Sequence, residues 1–159
     1  MSGMEKDIVD VITEEHLRFR RLFSEVRQAP PTERRELFRH LVAELAGHEA
    51  AEEAIVHRAL RDDVPGGKST AESILQEENQ AEKMLADMKN MDPVTPDFIT
   101  RLDSLQNLVL SHADHEEEEE LPMLREHIGL ARLREMGQAF EKTKSSGPTH
   151  PHPKIPQTP

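Results

Sequence analysis

Phe38-Arg39-His40-Leu41-Val42-Ala43-Glu44-Leu45-Ala46-Gly47-His48-Glu49-Ala50-Ala51-Glu52 decides the fold. Phe38, Leu41, Leu45, His48, Glu52 and then Ile55 recur at spacings of three and four, the signature of one helix face. Two members of that face are not apolar. His48 and Glu52 stand one helical turn apart on the side that should meet a core. The pattern returns at His112-Ala113-Asp114-His115-Glu116, following Phe98, Leu102, Leu105 and Val109. Two such pairs are what a nitrogen and oxygen metal site inside a helix bundle requires.

Working outward, two further stripes behave alike. Ile12, His16, Phe19, Phe23 and Val26 form the first helix, and Ile74, Glu78, Ala81, Leu85 and Met88 the third. Pro30-Pro31 ends the first helix, and Thr32 is expected to cap the second. Residues 62–68 contain Pro-Gly-Gly and read as a turn. Ser69 with Glu72 is expected to form a capping box for the third helix. Thr95 and Pro96 open the fourth, which Pro122 should end or kink. A short fifth helix is expected over residues 131–142. The chain then divides into a bundle domain, residues 1–144, and a Pro-rich flexible tail, residues 145–159.

An internal repeat supports this layout. A shift of 64 residues lays His48, Glu52 and Leu60 on His112, Glu116 and Leu124. A shift of 62 lays Leu22, Phe23 and Val26 on Met84, Leu85 and Met88, and His16 on Glu78. Two helical hairpins packed pseudo-symmetrically follow, an all-α, antiparallel up-down four-helix bundle.

Bulk composition narrows the chemistry. The 159 residues carry a net charge of −11, which opposes nucleic acid and anionic membranes as partners. No Cys and no Tyr are present, so thiolate and phenolate ligands are excluded. No run of apolar residues is long enough for a membrane span or a signal peptide, and a cytoplasmic location is expected.

His16, His48, Glu52, Glu78, His112 and Glu116 are therefore six candidate metal ligands from four helices. Buried carboxylates are costly unless paired or metal-bound, and here every apolar stripe is broken by a ligand-type residue. Imidazole and carboxylate without thiolate suit iron, manganese or zinc, and six ligands exceed the needs of one tetrahedral zinc. Two metals bridged by Glu52 and Glu116 use them all. His48 to Glu52 ends on Glu, so it is not the His-Glu-x-x-His protease motif. No His has a Glu three residues before it, so the Glu-x-x-His pairs of ferritin-like bundles are missing too.

His16, His48-x-x-x-Glu52 and His112-x-x-x-Glu116, with the double acids Glu52-Glu53 and Glu116-Glu117 and the ending Leu121-Pro122-Met123-Leu124, resemble the hemerythrin-like HHE cation-binding domains. The resemblance covers about residues 5–142. It implies a non-haem di-iron centre, oxo- and carboxylate-bridged, that binds or reacts with dioxygen, peroxide or nitric oxide. Two positions depart from the family pattern. Glu78 stands where members often have His; a carboxylate there favours ferric iron and argues against reversible oxygen carriage. His57 stands at an aromatic position and is followed by Arg58 rather than Pro. His57 is read as a proton relay or further ligand at the pocket mouth, or as a boundary His.

The remaining acids and histidines divide by position. Glu82 is the alternative third-helix ligand, one turn beyond Glu78. His115 and Glu49 are candidates to ligate or orient. Glu117, Glu118 and Glu120 are expected on a solvated face, as are His40 and His127. His150 and His152 are expected in a tail that takes no part in the site. The expected function is di-iron handling of a small diatomic or peroxide, with an external reductant. An iron or redox sensor without turnover is the alternative, and a metal-free interaction bundle is a further rival.

Overall fold

The computed structural model describes residues 6–146. Its long elements are α1 (Ile8–Gln28), α2 (Pro31–Ala51), α4 (Gly67–Met88) and α5 (Pro96–His115). A π-helical segment, Glu52–His57, carries α2 onward into α3 (Arg58–Asp63). A second, Glu116–Glu120, carries α5 into α6 (Leu121–His127), and α7 (Leu130–Ser145) follows. No strand occurs among the described residues. α1 packs on α2 and α5, α4 packs on α5 and α3, and α7 lies over α1, α2 and the first π segment. Short connections between long packed rods make neighbours antiparallel, so the bundle runs up and down as the repeat implies.

The helix ends follow local chemistry, not always the expected one. Asp7 and Asp10 form a reciprocal capping box at α1, and the Thr95 hydroxyl accepts from the Phe98 amide. Thr32 does not cap α2. Pro30 holds that place and Pro31 is the first helical residue, its missing N–H being one the helix would leave unpaired anyway. Ser69 does not cap α4 either. Gly66 takes a left-handed conformation at φ 78°, so the helix starts two residues before Ser69. Pro122 does not stop the helical run, because it lies in the first turn of α6, just past the π segment. The last helix is longer than expected. Residues from 147 onward, including His150 and His152, lie outside the described residues.

The apolar core is split. One cluster gathers Ile8, Val11, Ile12, Val56, Leu60, Leu121, Leu124 and Phe140. The other gathers Phe19, Phe23, Phe38, Leu41, Leu85, Phe98, Leu102 and Leu105. Along every long rod, buried polar side chains stand between the two clusters. His16 sits between Ile12 and Phe19, Glu78 between Ala71 and Ala81, His48 and Glu52 between Leu45 and Val56, and His112 and Glu116 between Val109 and Leu121.

Candidate metal centre

That polar layer is the candidate centre. His16, His48, Glu52, Glu78 and Glu116 are buried, and the His112 side chain is 12% exposed. His16 Nε2 stands 2.9 Å from Glu116 Oε1. His48 Nε2 stands 3.1 Å from Glu52 Oε1, without hydrogen-bond geometry. His112 Nε2 is 3.5 Å from both Glu78 Oε2 and Glu116 Oε2. All six expected ligands therefore meet in one layer.

The outer nitrogens of these imidazoles are held from behind. Glu15 engages His48 Nδ1 at 3.1 Å and is itself gripped by the Lys144 ammonium at 2.6 Å. Glu77 engages His112 Nδ1 at 2.9 Å, and Glu117 engages His16 Nδ1 at 2.7 Å. A carboxylate behind each ring fixes its orientation and leaves Nε2 pointing inward, which is how ligating histidines are commonly supported. His115 does not enter the layer. It pairs with Glu77 and Glu119 and is partly exposed. Glu49 and Glu82 are both buried, and burial and the neighbouring Glu82 and Glu78 push the Glu49 carboxyl well above 4.5. His40 and His127 are exposed, as expected.

Two residues are placed differently from their sequence expectations. Glu120 is fully buried, not solvated. The signal was available, since Glu120 lies one turn beyond Glu116, as Glu116 lies one turn beyond His112. Reading five consecutive acids as a solvated run hid it. His57 is also fully buried. Its Nδ1 engages Glu53 at 2.9 Å, and its Nε2 stands 3.9 Å from Glu78 Oε2 and 3.9 Å from Glu120 Oε1. The π segment explains this placement. Its wider turn brings the fifth residue, not only the fourth, back over Glu52.

The electrostatics of the metal-free layer are conflicted. Burial and the neighbouring Glu116 and Glu78 push the Glu52 carboxyl well above its ordinary 4.5. Burial and Glu116 push Glu120 up as well. Burial opposes ionisation of Glu116, but His112 and His16 beside it hold it well below 4.5. Burial lowers His57, and the surrounding Glu78, Glu53 and Glu120 more than offset it, raising the imidazole to about 9.

The donor set fits a cation. Both oxygens of Glu52 and of Glu120, one each of Glu78 and Glu116, and Nε2 of His57 and His112 are buried without a hydrogen-bond partner. Leaving such groups unpaired costs about 1–3 kcal/mol each, more where charged. Among the described residues no Lys or Arg ion-pairs with Glu52, Glu78, Glu116 or Glu120. Three groups place their donor atoms within 4.8 Å of one another. They are His16, His48 and Glu116; Glu52, Glu78, His112 and Glu116; and Glu52, His57, Glu116 and Glu120.

The profile of the hemerythrin HHE cation-binding domain matches residues 7–124 of this chain. The chain belongs to that family. It is 34% identical over 119 residues to a hemerythrin-like protein of Schizosaccharomyces pombe, covering 74% of this chain and 59% of that one. It is 25% identical over 142 residues to a DNA nickase of Nostoc, covering 89% of this chain and 40% of that one. The chain thus spans about three fifths and two fifths of the lengths of these relatives. The crystal structure of an HHE cation-binding domain-containing protein from Mycobacterium kansasii shares the fold, with a TM-score of 0.77, 24% identity and 89% of each chain covered. The hemerythrin-like, cation-binding bundle is thereby established, and the polar layer is its candidate site. No helix of the described residues is long and apolar enough to cross a membrane.

Proposed function

We propose that this hemerythrin-like domain holds two irons and binds or reacts with dioxygen, peroxide or nitric oxide. One observation carries the reading. Glu116 is common to the His16–His48 and the Glu78–His112 donor groups, Glu52 joins the second group while standing 3.1 Å from His48 Nε2, and a carboxylate with two oxygens can serve two cations at once. His16 and His48 then belong to one cation, and Glu78 and His112 to the other. When bound, iron supplies an electrophile that can change oxidation state toward a small ligand.

The chain's own residues do the rest. Glu15, Glu77 and Glu117 orient the imidazoles. A cavity of about 20 Å³ lies against His16, His48, Glu78 and His112, walled on its apolar side by Phe19, Leu45, Ala81 and Val109. It has room for a guest the size of a water or a diatomic, and its apolar wall keeps bulk water from the layer. The anionic donor set favours the ferric state over a lasting oxygen complex.

Metal analysis of iron-replete protein tests the reading, together with the optical spectrum and the rates of reaction with peroxide and nitric oxide. Two irons per chain, near-ultraviolet absorption and no phenolate band in the visible are expected, with iron lost in His48→Ala and Glu116→Ala. One zinc per chain would sink the di-iron claim. Two irons that respond to none of the three small molecules would favour the sensor alternative.

A further inference from the structure

His57 and Glu120 have no assigned part in holding the centre, yet nothing else explains their inward atoms. Both side chains are fully buried. Glu53 occupies the outer nitrogen of His57, leaving Nε2 without a partner, and neither oxygen of Glu120 has one. The two π segments deliver them together. Glu120 comes from the fourth position after Glu116, and His57 from the fifth after Glu52, so they meet on one side of the shared carboxylates.

The question is whether they define a separate cation position or complete an existing one. A separate position needs carboxylates of its own. Here the His57 group and the His112 group share both Glu52 and Glu116. They also converge on a single oxygen of the third-helix acid. Glu78 Oε2 is 3.9 Å from His57 Nε2 and 3.5 Å from His112 Nε2. A cation resting against that oxygen is within reach of both imidazoles. Neither His57 nor Glu120 lines the small cavity, whereas His16, His48, Glu78 and His112 do.

We infer that His57 and Glu120 are ligands of the same cation as Glu78 and His112, closing it with protein on the side away from the cavity. This rests on the two-cation reading above and gives the centre unequal halves. The Glu78–His112 cation is enclosed by six side chains, and the His16–His48 cation keeps fewer ligands.

Two measurements test it. Crystals of the full chain loaded anaerobically with ferrous iron should show an anomalous peak at a bonding distance of about 2.1 Å from His57 Nε2. The same peak should be bonded to Glu120 and Glu78. In solution, H57F combined with E120L keeps the buried volume apolar, and its helicity by circular dichroism reports folding. The metal-free double variant should melt higher than the parent, because an unpaired buried carboxyl has gone. One iron should stay at parental affinity, and the other should weaken by about tenfold or more. Two irons at unchanged affinity in the variant would overturn the inference and return His57 to the relay role. A third iron in the parent, lost in the variant, would overturn it in favour of a separate position. A parent that binds no second cation would bring down the two-cation reading and this inference together.

Discussion

Glu78 shows how much turns on one side chain. It faces His112 and His57 at once, and those two histidines hold its carboxyl below 4.5 against the opposing pull of burial. Its neighbour one turn on, Glu82, is buried beside Glu49 and joins none of the three donor groups. Glu78→Gln is therefore expected to weaken one iron by about tenfold or more while sparing the other. Glu82→Gln should leave both affinities in place. Iron titrations of the two variants decide it, and the reverse pattern would mean the third-helix ligand is one turn further along. The sequence makes Glu78 legible because the 62-residue repeat lays His16 on it. Glu120 was legible in principle and hidden in practice, since a run of five acids looks solvated until the spacing from His112 is followed for two turns. The supporting carboxylates Glu15, Glu77 and Glu117 were not legible. They lie beside the apolar stripes, and only the packing of separate helices shows which imidazole each one meets.

At the scale of elements, period and punctuation foretell the long rods well, and the caps less well. Ser69-x-x-Glu72 has the composition of a capping box, but two consecutive glycines ahead of it offer an earlier start. The backbone takes it, because Gly66 supplies the left-handed turn and Gly67 allows close approach. A Cβ on Gly67 would lie 2.0 Å from the Leu60 carbonyl oxygen, a backbone atom that cannot swing aside. Gly67→Ala should accordingly destabilise the domain by about 1–3 kcal/mol or prevent α3 from packing on α4. Gly66→Ala meets no neighbour and should cost only about 1–2 kcal/mol for its left-handed backbone. Thermal unfolding of the pair checks the order, and equal losses would mean that the α3–α4 approach is softer than this. The π segments were beyond sequence reading. Nothing in Glu52–His57 or Glu116–Glu120 marks a wider turn, and what makes them recognisable is that both begin on the shared carboxylates.

The whole molecule has a pH dependence set by that charged layer. In the metal-free chain Glu49, Glu52 and Glu120 are held above 4.5, each chiefly by burial. A group raised on folding stabilises below its unfolded value and loses that contribution as pH rises. His16, His57 and His112 are also raised, their acidic neighbours outweighing burial. Their contribution is complete below 6.5 and fades as pH climbs, for His57 through about 9. Glu15 works the other way. Burial opposes it, but His48 and Lys144 draw it to about 2, so its contribution is present above 4.5 and lost as pH falls toward 2. The metal-free domain should thus be most stable in a narrow window around pH 4.5, where Glu15 is ionised and Glu49, Glu52 and Glu120 still keep their protons, with the histidine contribution fading only above 6.5. Metal requires deprotonated ligands, so the loaded domain should gain relative to the metal-free one as pH rises above that window. Melting curves with iron and with chelator across pH 4 to 9 measure the gap. A gap that narrows with rising pH would contradict the assignment.

The split core carries a mechanical consequence. Two apolar halves, each with its own packing, are joined through a waist of ionisable groups, and the two π segments fall at that waist. A bundle divided in this way need not open from its ends. Without metal, the middle is where backbone hydrogen bonds have the least apolar cover and the most mutual repulsion, so breathing should start there. Amide hydrogen exchange across 52–57 and 116–120 should then be fast in the metal-free chain and slow sharply on loading, while the amides around Phe23 and Phe98 change little. Loading would act as a clasp, turning two loosely hinged half-bundles into one rigid body.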